Sequence, residues 1–296
     1  MRVTNNMLVS NMMKNLNSNL RRLEKANDEM SSGKKFRMPS DDPVGVARSL
    51  KLRADLNENQ QFRKNAGDAL SWLDTTETAL MQIKEVLQRV RELMIQGANG
   101  ILSDEDSQKI ADEAAQMRDE LVSLGNSTYM GKHIFAGYIT DQAPIGLDAG
   151  NGLDYMGDAG QIMYQVGVSD ILQANITGTD IFSPGGKDLL ADMEILIGSL
   201  NAGDSQAVGA FLEDVDIHIE NILTMISETG AKVNRVELVV NRLEDEKLNF
   251  NNLLSKTEDV DMAEVIIRLK NEENVYMAAL AGGSRIIQPT LVDFLR

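Results

Sequence analysis

One apolar register dominates this chain. It runs through Val208, Leu212, Val215, Ile219, Ile222, Ile226, Thr229, Val233, Val236, Val240, Leu243, Lys247, Phe250 and Leu254 in steps of three or four residues. That step puts every member on one side of an α-helix, and the register crosses Gly230 without slipping. At 1.5 Å of rise per residue, a helix of ~50 residues is about 75 Å long. A compact globule does not need such an element; a helical rod does. The stretch from Pro43 to about Gln96 reads as one long helix, with Ala66, Ala69, Leu73, Thr76, Leu80, Ile83, Leu87, Val90 and Met94 spaced in the same way. Gly97 and Gly100 then read as its end.

Both extremities of the chain carry further seams. The first is Val9, Met13, Leu16, Leu20, Leu23, Asn27 and Met30, a strict 4-3 pattern of the coiled-coil kind. Asn27 is its one polar member and reads as a seam end reaching solvent in preference to a register-fixing buried Asn. The second is Met262, Ile266, Leu269, Glu273, Tyr276, Leu280, Gly283 and Ile287, opened by Asp261 with Glu264 three residues on, a capping-box-like start. Ala278, Ala279, Ala281, Gly282 and Gly283 let another backbone approach closely, and Gln288-Pro289 stops the helix. Ordering an arm costs conformational entropy that a single apolar stripe does not clearly return. The arms are therefore expected to be mobile in a lone subunit and to order on assembly.

Between the first arm and the long helices lies a corner, Met30-Ser31-Ser32-Gly33-Lys34-Lys35-Phe36-Arg37-Met38-Pro39-Ser40-Asp41-Asp42-Pro43. Gly33 follows the last seam residue, where a positive φ ends a helix at no steric cost. Pro43 suits the first helical position, with Asp42 as its N-cap. Ser103-Asp104-Glu105-Asp106 opens another helix, which buries Ile110, Met117, Leu121 and Leu124 and closes at Gly125-Asn126. A short helix later turns Leu189, Met193, Leu196 and Leu200 inward before Asn201-Ala202-Gly203.

The texture changes between Asp141 and Lys187, which hold nine of the 23 glycines. Gln161 to Val168 alternates, with Ile162, Tyr164, Val166 and Val168 on one face of a strand, and Ile171 to Ile176 is a second strand. Pro184-Gly185-Gly186 is a turn. The reading is a mainly α fold: a long antiparallel helical rod, a coiled-coil-like bundle made from both chain ends, with a small β-rich insertion domain. Its parts are an N-terminal arm and basic loop (1–42), a first half of the helical body (43–140), a β-rich outer insertion (141–187), a second half of the body (188–258) and a C-terminal arm (259–296).

Charge and residue usage narrow the function. With 29 Lys and Arg against 45 Asp and Glu, the formal charge is -16, which disfavours nucleic acid. The absence of cysteine excludes disulfides and thiolate metal sites. The opening Met1-Arg2-Val3-Thr4-Asn5-Asn6 has no apolar leader core, and Val275 to Gly283 is far short of the ~20 residues that span a bilayer. The chain thus reads as soluble, and any secretion would use a route that reads no cleavable leader. His133 sits between glycine-rich turns and His218 between Ile217 and Ile219, neither with a second ligand at metal spacing. No Ser lies in a Gly-x-Ser-x-Gly setting, and Gly185-Gly186-Lys187 lacks the spacing of a phosphate loop. Asp148, Asn151, Asp154 and Asp158 lack the order of a calcium loop. The expectation is therefore no enzyme, no cofactor and no metal.

Several motifs together resemble the bacterial flagellin family. Ser32, Gly33 and Lys34, followed by Ser40, Asp41, Asp42 and Pro43, are similar to its amino-terminal hallmark. Pro39 and Pro43 around Ser-Asp-Asp are closer to the hook-associated branch than to filament flagellin. Asn99 to Asp106, Gly131 to Tyr138, and the ending from Ile287-Gln288-Pro289 to Leu295-Arg296 support that branch. The resemblance covers nearly everything except Asp141 to Lys187. It implies a secreted structural protein at the hook–filament junction, assembled as a ring of identical subunits. It further implies contact with hook-associated protein 1 on one side and flagellin on the other, type III export, and a cytoplasmic chaperone on the C-terminal arm. The alternative is a flagellin-type filament subunit. A secreted enzyme lacks a nucleophile–base pair, and a membrane-active coiled coil fits poorly with acidic charge.

Overall fold

A computed structural model of the chain describes residues 5–99, 103–147 and 153–287. The helices are α1 (Asn5–Ser32), α2 (Pro43–Ala98), α3 (Asp104–Gly125), α4 (Gly178–Phe182), α5 (Leu189–Asn201), α6 (Ser205–Ala210), α7 (Leu212–Glu258) and α8 (Met262–Ile287). The chain divides into two compact units, residues 1–58 with 247–296 and residues 59–246, so that α2 and α7 each contribute to both. The fold is mainly α, with long helices from both chain ends and a small strand-bearing insertion.

The larger unit is built on the long registers. Ala66, Ala69, Leu73, Thr76, Leu80, Ile83, Leu87, Val90 and Met94 of α2 are all fully buried. On α7, Val215, Ile222, Thr229, Val236 and Leu243 are buried, and the register members between them are half-buried. The register is interrupted once: Val208 belongs to α6, and α7 begins after Phe211. Polar links run between the two long helices along this unit. Asn59 donates to the Leu243 carbonyl at 3.1 Å, and Arg91 meets Asp216 at 2.6 Å. Gly97 does not end α2. The helix runs one residue past it to Ala98, and a Cβ at Gly97 would stand 2.6 Å from Leu200, so the glycine serves close approach. Gly100, Ile101 and Leu102 lie outside the described residues.

α3 starts as its residues dictate, with the Ser103 hydroxyl accepting from the Asp106 amide at 3.2 Å. It packs on α5, capped by Asp188, whose Leu189, Met193, Leu196 and Leu200 are buried.

The insertion is less regular than its alternation suggests. A hairpin of β1 (Thr128–Tyr129) with β2 (Lys132–His133) precedes it, and the insertion itself holds two separate antiparallel hairpins, β3 (Ile145–Leu147) with β4 (Leu153–Tyr155) and β5 (Met163–Gln165) with β6 (Ile171–Gln173). The anticipated strand pair is present but short, and Val168 is exposed instead of sharing the face of buried Val166, because the chain turns after Gln165. Side-chain to main-chain bonds do the work of a wider sheet. Asn126 accepts from the Ile145 amide at 2.9 Å and donates to its carbonyl at 3.0 Å. Tyr155 donates to the Phe135 carbonyl at 2.7 Å. Gly137, at φ +70°, lies where any Cβ would strike the Asp158 carbonyl oxygen at 2.3 Å. Asp148 and Asn151 lie outside the described residues.

Candidate assembly surface

The smaller unit pairs α1 with α8 in antiparallel fashion. Arg22 donates to Glu272 at 3.0 Å, and Arg268 to the buried Glu29 at 2.8 Å. Further along, Met12 lies on Gly283, where an added Cβ would stand 1.9 Å from the Met12 methyl. These contacts define which side of each helix faces the other. On α1 the most covered positions are Ala26 and Glu29, followed by Val9, Met12, Leu16, Ser18, Asn19, Leu23 and Met30. On α8 they are Val265, Leu269, Glu272, Tyr276, Ala279 and Gly283.

Both stripes differ from the expected seams in the same way. Val9, Leu16, Leu23 and Met30 of the first seam, and Leu269 and Tyr276 of the second, lie on the side that faces the other helix. The alternate members do not. Met13 and Leu20 are 46% and 36% exposed, and Asn27 is exposed as well. Ile266 and Leu280 are 47% and 44% exposed, and Met262 is similar. Their places are taken by Met12, Asn19 and Ala26 on α1 and by Val265, Glu272 and Ala279 on α8. Ala26, Ala279 and Gly283 allow the two backbones to come close at their positions, and the bulkier Leu280 beside Ala279 is left on the outer flank. Ile287 is the last residue of α8, and the ending from Gln288 to Arg296 lies outside the described residues.

The corner is a lock between sequence-distant segments. Ser32 ends α1, and Gly33 follows at φ +69° with its amide on the Glu29 carbonyl at 2.9 Å. The Ser32 hydroxyl donates to the Asp28 carbonyl at 2.7 Å and accepts from the Lys34 amide at 3.3 Å. Lys34 bridges antiparallel to Asp259: the Lys35 amide reaches the Glu258 carbonyl at 2.7 Å and the Val260 amide the Gly33 carbonyl at 3.0 Å. Pro39 and Ser40 occupy the centre of a β-turn closed by the Asp41 amide on the Met38 carbonyl at 3.0 Å. The Asp41 carboxylate accepts from the Met38 and Arg37 amides, which holds its pKa below the usual aspartate value. Asp42 caps α2 by accepting from the Gly45 amide at 2.9 Å, with Pro43 first in the helix.

Glu258 is the residue the sequence did not single out. Its side chain is only 5% exposed, yet Arg53 donates to both its oxygens at 2.7 and 2.8 Å, and Lys34 also pairs with it. Burial pushes its pKa up, but the hydrogen bonds from Arg53 and Lys34, with their charges, win and hold the carboxyl below the usual glutamate value. No local pattern marks such a residue, because its partners stand more than 200 positions away.

Both histidines are engaged in structure. The His218 ring is fully buried, with Nε2 3.1 Å from Asp192 of α5. His133 Nδ1 lies 2.8 Å from the Asn126 carbonyl. Among the described residues, no group of three or more His, Asp or Glu is placed to hold a metal ion. No described helix is long and apolar enough to cross a membrane. What the geometry offers is a surface: an α1–α8 pair closed on its inner side and apolar on its outer flank, hinged on a hydrogen-bonded corner.

Comparison with known proteins places that surface in context. Residues 3–140 match the family model of the bacterial flagellin N-terminal helical region. Flagellar hook-associated protein 3 of Escherichia coli is 28% identical over 285 residues, covering 88% of this chain and 89% of that protein. A flagellin of Bacillus subtilis is 29% identical over 284 residues, covering 89% of this chain and 88% of that protein. Among solved structures, a candidate flagellar hook-associated protein of Vibrio parahaemolyticus superposes with a TM-score of 0.69 at 25% identity, covering 74% of this chain and all of that one.

Proposed function

We propose that this chain, whose residues 3–140 match the flagellin N-terminal helical region, is a structural adaptor of the bacterial flagellum, joining the hook-associated region to the flagellin filament. The observation that carries the reading is the unfilled outer flank of the α1–α8 pair. Met13, Leu20, Met262, Ile266 and Leu280 stand exposed on a pair whose inner side is already packed. Apolar surface so arranged is completed by other chains. The proposed partners are further copies of this chain in a ring, hook-associated protein 1 on one side and flagellin on the other. Met262, Ile266, Leu269, Tyr276, Leu280 and Ile287 would be held by a cytoplasmic chaperone before type III export. The protein performs no chemistry in this reading. Its work is to present one set of surfaces to the hook side and another to the filament.

A second reading, a filament subunit, is favoured by the likeness to the Bacillus flagellin. One experiment separates the two. In cells lacking the gene, the adaptor reading expects bare hooks, with flagellin shed into the medium. Expression of the wild-type chain should restore filaments, and a chain carrying Leu20→Glu and Leu280→Glu should not. Filaments growing normally without the gene would refute the adaptor. Bare hooks with no flagellin-like protein in the medium would favour the filament subunit.

A further inference from the structure

The charge of this chain is divided unevenly. Residues 1–58 and 247–296 hold 17 Lys and Arg against 14 Asp and Glu, a formal +3. Residues 59–246 hold 12 against 31, a formal -19. In the larger unit most of the bases are already committed, for example Arg89 to Glu113, Arg91 to Asp216, Lys187 to Asp214 and Arg235 to Asp170. In the smaller unit, exposed Arg48 and Lys256 make no ion pair among the described residues.

Those two bases rim one feature. A groove of the smaller unit is lined by Val44, Leu52 and Leu253 together with Arg48 and Lys256; Asp42 also lines it, its Oδ1 engaged by the Val44 and Gly45 amides. Val44 is one of the most exposed apolar residues of the unit, and Leu253 is half-exposed. An apolar floor under a basic rim fits an acidic helix whose side-chain stems cover the floor and whose carboxylates reach the rim.

The same chain carries such a helix. α3 repeats an acidic doublet every seven residues: Glu105-Asp106, Asp112-Glu113 and Asp119-Glu120. Seven residues are two helical turns, so the doublets stack on one face about 10 Å apart. All but Glu113 are exposed, and Glu105, Asp112 and Glu120 make no ion pair among the described residues. Within the subunit the face is used only in part, Glu113 holding Arg89 of α2 and Asp106 holding Ser103 and Lys109, while Ile110, Ala111, Ala114 and Leu121 on the opposite side do the packing.

We propose that the groove of Val44, Leu52 and Leu253 receives the acidic face of α3 from a second copy of this chain, with Arg48 and Lys256 meeting the doublets. The inference rests on the reading of the chain as an assembling subunit and adds to it which surfaces meet. The contact joins two different patches. It is therefore head-to-tail, and repeated it produces a ring or a helical array in place of a closed dimer. Its strength falls as salt screens the rim charges.

The test uses the full-length chain and sedimentation velocity. Raising NaCl from about 50 mM to about 500 mM should weaken self-association about tenfold or more, over the range where the Debye length shrinks from roughly 14 to 4 Å. Arg48→Glu with Lys256→Glu should lose association, and so should Glu105→Lys with Asp112→Lys. All four positions are exposed, so helicity and melting temperature should stay unchanged. The decisive arm mixes the two variants. Each now complements the other at both grooves, and the mixture should associate where neither variant does alone. Association that is indifferent to the reversals, a mixture that stays monomeric, or a wild-type chain that is monomeric at both salt concentrations would overturn the proposal. A failed mixture with wild-type chain still restoring filaments in cells would remove this contact and leave the adaptor reading standing.

Discussion

Replacing Glu258 by Gln should loosen the corner without disturbing its shape. Gln keeps the volume and can still accept one hydrogen bond, but it removes the charge that Arg53 and Lys34 both meet. Truncating one member of a fully buried pair costs about 3–5 kcal/mol. Here only the carboxylate is enclosed. Arg53 and Lys34 are about half-exposed and regain water when it is lost, so the full figure does not apply. About 1–2 kcal/mol for Gln and about 3 kcal/mol for Ala are the expected losses. The sign with pH follows from the lowered pKa. Stabilisation by this carboxylate is fully present above the ordinary glutamate value of 4.5 and is lost as the pH falls through the lower folded value. Wild type should thus lose stability on acidification below that range, and the Gln variant should lack this component. Urea unfolding from pH 7 to pH 3, paired with hydrogen exchange at the Lys35 and Val260 amides, reads both effects. Those amides bond the Glu258 and Gly33 carbonyls and should open first. A Gln variant as stable as wild type, with the same acid limb and the same protection at the two amides, would refute the reasoning.

Two other substitutions probe the packing. Gly283→Val forces Met12 off the α8 backbone and should cost about 1–3 kcal/mol in the α1–α8 pair, with Met12→Ala relieving part of the loss in a double-mutant cycle measured by urea unfolding. Gly137→Ala meets both a positive φ and the Asp158 backbone and should destabilise the insertion by at least about 1–3 kcal/mol, seen as faster exchange at the Tyr138 and Asp158 amides.

The long registers were legible because they are buried on one side over many turns, and periodicity accumulates. Every register member from Ala66 to Met94 is fully inside. The end seams were legible only in part. A step of seven fixes Val9, Leu16, Leu23 and Met30, but the intermediate member can fall on either flank. Met12 and Met13 are equally apolar, and hydrophobicity alone prefers Leu20 over Asn19 and Leu280 over Ala279. At Ala279 close helix approach prefers the smaller residue and leaves Leu280 outside, whereas nothing in residue type separates Met12 from Met13. Sequence pattern shows that a stripe is wide; it does not say which edge belongs to which partner. The insertion was read through its alternation over Gln161 to Val168 and a second strand over Ile171 to Ile176; within those stretches the structure pairs Met163–Gln165 with Ile171–Gln173. The hairpin of Ile145–Leu147 and Leu153–Tyr155 escaped because it is fixed by Asn126 and Tyr155 bonding distant carbonyls, a signal that lies in no window of neighbouring residues. Glu258 escaped for the same reason.

The central claim is that the outer flank of α1 and α8 is finished only by neighbouring chains. Amide hydrogen exchange on the dilute single chain and on the assembled form measures this directly. Amides along Leu16 to Leu23 and Ile266 to Leu280 should exchange quickly in the free chain, while those of α2 around Leu80 are protected. In the assembled form both groups should be protected alike. Equal, strong protection of all three stretches in the free chain would contradict the account.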